Sequence, residues 1–109
     1  MPGMNKTPTL LSPQLDVTAS GTPERVSSSD LWVYSCIFIA HRDNTGIIYI
    51  GDSSANALNT SKFGVDLAAR ERFSIDYDHN RTIAVSFNLK NIWFDSSVTG
   101  DKLIVWYTI

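Results

Sequence analysis

Few residues of this chain combine the types and the spacing that chemistry requires. Asp76 and Asp78 are two positions apart, so on a strand both carboxylates would face one side, as the acid–base pair of a glycosidase does. An outward polar strand face explains the same spacing without catalysis. His41 and His79 each flank a turn beside an aspartate, and neither shows the spacing of metal ligands. We therefore predict that the chain is not an enzyme and has no catalytic residue, no metal site and no cofactor.

Cys36 is the single cysteine of the chain, which excludes an internal disulfide. No Cys-x-x-Cys pair and no Cys/His cluster accompanies it, so the pattern of a zinc site is absent. It lies inside the apolar run of residues 32–40, where a thiol behaves as a small hydrophobic group. We expect Cys36 to be buried and unreactive.

The length of 109 residues fits one domain, and the apolar content of 43% fits a folded one. The formal net charge is −2, and the N-terminus lacks the basic and apolar segments of a signal peptide. We expect a soluble protein made in a cytoplasm, with no nucleic-acid and no membrane partner. Charged residues are 18% of the chain, below the roughly 25% of an average domain. Such a surface suits either burial against other subunits or solvation through hydroxyl groups.

The elements that position these residues are strands. Residues 44–53 form the centre of the pattern, with a turn at 44–46, an apolar run at 47–50 and a second turn at 51–53. We expect Gly46 to supply the left-handed backbone position of a tight turn. Residues 31–40 are apolar on both faces, which predicts a long strand covered on both sides. Together these two runs predict a β-hairpin.

Later segments continue the strand pattern. Phe73, Ile75 and Tyr77 alternate with polar residues and are expected to face the core. The last run, 103–109, predicts a strand pinned in a sheet. The other expected segments are a surface loop at 52–62, a turn at 68–72, and strands at 63–67, 82–87 and 89–94. Six or seven strands predict an all-β fold, a β-sandwich or jelly-roll-like single domain over residues 23–109.

Residues 1–22 differ from the rest because three of the four prolines lie there. Proline removes a backbone donor, so this segment is not expected in the middle of a sheet. A frayed terminus is one interpretation. We favour an extended N-terminal arm that lies on a neighbouring subunit, because a solvated tail has no need of apolar side chains. The arm residues predicted to bind a partner are Leu10, Leu11, Leu15 and Val17.

The sequence predicts the surroundings of two of the three tryptophans. Trp106 lies in the terminal apolar run and is expected in the core. Trp93 alternates with Ile92 and Phe94, so its ring is expected on a polar face. There it would anchor a partner protein or stack on a sugar ring. A proline-rich arm favours the protein partner, since a sugar-binding module does not require one.

Five motifs follow one another along the chain: GTPERVS at 21–27, NTGIIYIGDS at 44–53, GVDL at 64–67, IWFD at 92–95 and VTGD at 98–101. In this order they resemble small structural proteins of tailed bacteriophages, namely capsid cement, decoration or head-fibre proteins. The resemblance covers residues 21–109. Two departures are visible: Ala69-Arg70 stand where relatives have a Pro-Gly turn, and the segment 78–87 is longer than usual, which predicts an extra hairpin.

The resemblance implies a β-sandwich or jelly-roll-like unit on the surface of a virion, without catalysis. Its implied partner is the major capsid protein or another virion protein, and exposed strand edges favour a homodimer or homotrimer. A tail, collar or fibre component of the same virion is an alternative. A glycan- or receptor-binding β module is an alternative from another class.

Overall fold

The structure is a computed structural model that describes residues 10–76 and 86–109. The fold is all-β, as predicted, with its strands in antiparallel sheets and almost no helix. The predictions for Tyr77, Asp78 and His79, for the extra hairpin, and for most of a strand at 82–87 lie outside the described residues. So does the first part of the predicted arm.

Short strands alternate with turns along the described chain. The strands are β1 (Leu10–Leu11), β2 (Gln14–Asp16), β3 (Glu24–Arg25), β4 (Trp32–Val33), β5 (Ser35–Ala40), β6 (Ile48–Gly51), β7 (Val65–Leu67), β8 (Arg72–Asp76), β9 (Phe87–Asn88), β10 (Trp93–Ser96) and β11 (Lys102–Thr108). A one-turn helix, α1 (Ser54–Ala57), and a 3-10 turn (Leu89–Asn91) complete the elements.

Two antiparallel sheets carry the fold. In the first sheet β11 pairs with β5 on one side and with β1 and β2 on the other, while β8 adds to the outer side of β5. The second sheet has the order β3-β10-β6-β7. A small ribbon of β4 and β9 stands apart from both. The terminal strand predicted at 103–109 is confirmed as β11.

The core lies between the inner faces of these sheets. Alternate residues of β5 and β11 are buried, as the two-residue period of a strand requires. Phe38 and Val105 from the first sheet and Ile48 and Phe94 from the second belong to one cluster of buried side chains. Phe73 and Ile75 of β8 pack against this cluster, as predicted.

The predicted hairpin of residues 31–40 with 47–50 is wrong, because β5 and β6 belong to different sheets. Residues 41–47 cross from one sheet to the other. Their backbone donors bind the loop before β11 instead of a hairpin partner: the Asp101 carboxylate accepts from Thr45 N at 3.2 Å and from Gly46 N at 2.9 Å. A short apolar run followed by a turn and another run does not reveal which sheet the second run joins.

The prediction that Gly46 supplies a left-handed turn position is wrong, because this residue is absent from those with positive φ. A Cβ atom at this position would lie 2.4 Å from Ser97 Oγ and 2.7 Å from Val98 Cγ2, so these side chains would have to shift. The glycine therefore lets the crossing loop pack against the turn that precedes β11.

Three other segments differ from expectation. The run of residues 31–40 is interrupted at Tyr34, so it forms β4 and β5 rather than one strand. The loop at 52–62 contains α1, which begins because Ser53 Oγ accepts a hydrogen bond from Asn56 N at 3.1 Å. Residues 89–91 form a 3-10 turn, so the predicted strand at 89–94 begins only at Trp93 as β10.

Candidate docking surface

The outer face of the first sheet carries an apolar block. In β5 and β11 the residues Phe38 and Val105 point to the core, so their neighbours point outward. The strand register places Trp106 opposite Ile37, and Ile104 opposite Ile39. Trp106 is 40% exposed and Ile37 is 36% exposed. We call these four residues, Ile37, Ile39, Ile104 and Trp106, the outer-face patch.

This patch corrects two predictions. Trp106 was expected in the core, and both faces of residues 31–40 were expected to be covered. The alternation of β11 buries Leu103, Val105 and Tyr107 and turns Trp106 outward. Because both faces of these strands are apolar, the sequence pattern does not tell which parity faces the core.

A groove rich in arginine lies at one end of the outer-face patch. Its lining residues are Ile39, Ala40, His41, Arg42, Arg70, Arg72 and Ile104, and its volume is about 590 Å³. We call it the arginine groove. It exists because β5 and β8 pair antiparallel, with Arg72 opposite Ile39, so that residues 40–42 lie beside residues 70–72. Glu71 O accepts from Ala40 N at 3.0 Å and fixes this arrangement.

The three guanidinium groups of the arginine groove have no ion pair with any described side chain. The carboxylates of Glu71 and Asp43 are close in sequence to these arginines but form no ion pair with them. Glu71 Oε1 accepts a hydrogen bond from Ala68 N at 2.7 Å, and Asp43 Oδ2 lies 3.9 Å from His41 Nδ1. The groove therefore concentrates positive charge on a chain whose formal net charge is −2.

The turn predicted at 68–72 is confirmed, and it brings Arg70 to the groove. Arg70 has a φ of +73°, the left-handed conformation that a glycine adopts more easily. Its N–H donates to Ala40 O at 2.9 Å, which ties the turn to the end of β5.

The predicted arm residues lie on the chain's own sheet. Leu10 and Leu11 form β1, and Leu15 in β2 packs against the core. Val17 is only 2% exposed and belongs to the core, so its side chain has no surface for a partner. Pro13 is accommodated between β1 and β2, where its carbonyl accepts from Val105 N at 3.1 Å. An edge strand tolerates proline, because its missing N–H would face away from the sheet.

The sequence predicted Trp93 as a partner anchor or sugar platform. The structure places it half-buried in β10, with the Arg25 guanidinium carbon 4.4 Å from the ring centroid. Arg25 is held there by a hydrogen bond of 2.6 Å to Lys90 O. This cation–π contact covers one face of the ring. A role for Trp93 in partner binding stays a prediction.

Phe63 was predicted within a strand, but it lies before β7 and is 84% exposed. It stands at the rim of an apolar depression of about 270 Å³ that Ile50, Val65, Phe73 and Ile92 help to line. A large exposed aromatic ring beside an apolar hollow is a feature of binding surfaces. Strand propensity alone did not indicate its exposure.

Among the residues whose burial the structure describes, Asp95 and Asp101 are buried, and both serve the fold. Asp95 accepts hydrogen bonds from Gly21 N at 3.0 Å and from Asn59 N at 2.9 Å. Asp101 accepts from the crossing loop and from Ser96 Oγ at 3.0 Å. Each carboxylate oxygen thus has a backbone N–H donor, as a buried charge requires. These aspartates hold loops together.

Cys36 is buried, as predicted, and desolvation raises the pKa of its thiol to about 12. Within residues 10–76 and 86–109, no group of three or more His, Cys, Asp or Glu residues could hold a metal ion. In the same part of the chain, no helix is long and apolar enough to cross a membrane.

The chain was compared with known proteins in three ways. No protein-family model, no curated protein and no solved structure matched it.

Proposed function

We propose that this chain is a structural protein of a tailed-bacteriophage virion, a cement or decoration protein that binds the major capsid protein on the capsid surface. The single structural observation that supports docking is the outer-face patch, an exposed apolar block with a tryptophan at its corner. The five motifs in order, from residue 21 to residue 101, support the phage class by resemblance. The proposal includes a β-sandwich of jelly-roll-like type, supported by two antiparallel sheets that share one core.

The proposed mechanism is the burial of apolar surface between subunits. Trp106 is the expected anchor, because tryptophan dominates the binding energy of many protein interfaces. At about 25 cal/mol per Å² of apolar area, a few hundred Å² per copy contributes several kcal/mol before ordering costs. Repeated over a shell, this contribution resists separation of the capsid subunits. Dimers or trimers of the chain belong to the same proposal, and analytical ultracentrifugation measures them.

Mass spectrometry of purified virions tests the location. Hundreds of copies per particle support a capsid cement protein. A dozen copies or fewer support the alternative, a tail, collar or fibre component. Absence from the particle overturns the proposal.

Binding of the purified chain to particles that lack it tests the surface. We expect Trp106→Ser to bind at least about tenfold more weakly, as loss of an interface anchor does. The matched control is Trp32→Ser, because Trp32 is 57% exposed but lies in β4, outside the first sheet. Equal binding by both variants would show that docking uses another surface.

A glycan-binding module is the second candidate. The exposed rings of Trp32 and Tyr34 favour it, since aromatic faces open to solvent can stack on sugars. A glycan array with the wild type and Trp32→Ala separates the two candidates. Binding that Trp32→Ala abolishes, together with absence from virions, would replace the capsid proposal.

A further inference from the structure

We propose that the arginine groove binds an acidic segment of a partner protein. The inference deepens the proposed function, because it states the chemistry of the partner beside the outer-face patch. It rests on the proposed function only for the identity of the partner. The groove's preference for an acidic peptide follows from its own residues.

The positive charge of the groove favours an anionic ligand. Arg42, Arg70 and Arg72 line one groove, and none has an ion pair with a described side chain. A guanidinium group presents a planar fork of donors that matches a carboxylate in a bidentate manner. Glu71 forms no ion pair with these arginines, and its Oε1 accepts a hydrogen bond from Ala68 N. Asp43 Oδ2 lies 3.9 Å from Nδ1 of His41, which also lines the groove.

The apolar part of the lining indicates a protein segment rather than a free inorganic anion. Ile39, Ala40 and Ile104 line the groove together with the arginines. Ile39 and Ile104 also belong to the outer-face patch, so the two surfaces are continuous. An occupant that uses both surfaces carries carboxylates at one end and apolar side chains at the other.

The backbone of Arg70 adds an independent observation. A left-handed conformation is strained for a residue with a side chain, and such strain is concentrated at binding and catalytic sites. Glycine would satisfy this turn at lower cost. The arginine side chain does not relieve this backbone strain, but it places a third cation in the groove.

A nucleic acid is a poorer match to the same groove. Its binding relies on a strong positive field and on aromatic rings that stack on bases. The chain has a formal net charge of −2, and the residues that line the groove include no Phe, Tyr or Trp. An acidic protein segment needs only the local cluster.

The test is fluorescence anisotropy with the full chain and a labelled decapeptide of alternating glutamate and leucine. We expect saturable binding that weakens as salt is raised. Arg70→Gly, which keeps the left-handed turn, and Arg72→Gln should each lower affinity about three- to tenfold, and the double variant more. The control is Lys62→Gln, which removes an exposed positive charge outside the groove and should bind as the wild type. Urea unfolding confirms that each variant is folded.

Three outcomes would overturn the inference. One is no binding of the glutamate–leucine peptide at millimolar concentration. Another is equal affinity in the arginine variants and in Lys62→Gln. The third is tighter binding of a labelled twenty-nucleotide oligothymidine with the same dependence on arginine, which would assign the groove to nucleic acid. If the peptide binds as expected but the chain is absent from virions, the proposed function fails while the groove's chemistry stands.

Discussion

Replacing Asp101 should destabilise the protein more than replacing an exposed carboxylate would, because the Asp101 side chain joins the crossing loop, residues 41–47, to the first sheet. It is 5% exposed and accepts three hydrogen bonds. Hydrogen bonds to a charged group contribute about 1.5–3 kcal/mol each. Asp101→Ala removes all three and leaves Gly46 N and Ser96 Oγ without this partner. We expect its free energy of unfolding to fall by about 4 kcal/mol or more, since water can replace the bond to exposed Thr45.

Asp101→Asn should have a smaller effect. The amide oxygen can take the place of Oδ2, which accepts from Gly46 N and Ser96 Oγ. The amide nitrogen then stands in the place of Oδ1 and cannot accept from Thr45 N, a contact of 3.2 Å. Losing this bond and the charge should cost about 1–3 kcal/mol.

Urea unfolding followed by tryptophan fluorescence measures both variants. The control is Asp43→Asn, because Asp43 lies in the crossing segment but its side chain is 81% exposed. This variant should stay within about 0.5 kcal/mol of the wild type. A domain of this kind has a total stability of about 5–15 kcal/mol, so the ranking of the three variants is measurable. An Asp101→Ala variant whose free energy of unfolding lies within about 1 kcal/mol of the wild type would refute this role of Asp101.

Three further predictions concern the N-terminal segment and the thiol. Val17→Ala should lower the free energy of unfolding by about 2 kcal/mol in the same assay, whereas Leu11→Ala at the surface should lower it by less than about 1 kcal/mol. Equal effects would show that residues 10–17 do not pack on the sheet. Cys36 should resist maleimide in the native protein at pH 8 and react in urea, and rapid native labelling would contradict its burial. The pKa of this thiol is 9.0 in its ordinary state and about 12 in the folded protein, so the unfolded state loses the proton first as pH rises. The free energy of unfolding should therefore fall between pH 9 and 12. The Cys36→Ala variant should show a smaller fall.

The strand content of this fold was predictable, because residues with high β propensity recur between turn residues. The strand predicted at 63–67 is present over 65–67, and the turn that follows it and the burial of Cys36 also agree with local pattern. The partners of strands do not. β5 and β6 resemble a hairpin in sequence, but they pair in different sheets, and the Asp101 carboxylate accepts from Thr45 N and Gly46 N in the segment between them.

Most of the candidate docking surface could not be predicted from the sequence. Trp106 and Val105 are both apolar, and the pairing of β11 decides which one faces solvent. The arginine groove joins residues about thirty positions apart through the pairing of β5 with β8. The prolines predicted that residues 1–22 do not lie in the middle of a sheet, and β1 and β2 pair only with one side of β11. The sequence did not predict that residues 10–17 pair with the chain's own last strand.

The place of β11 at the centre of the first sheet has a consequence for folding kinetics. β11 comes last of the described strands, and it pairs with the first two, with Leu10 opposite Thr108. To form these pairs the chain must close a very long loop, and it loses conformational entropy before the contacts between the strands form. Domains dominated by these pairings fold in about milliseconds to seconds. Until β11 arrives, β5 has an unpaired edge, so refolding yield should fall with protein concentration through strand-to-strand association of incomplete chains.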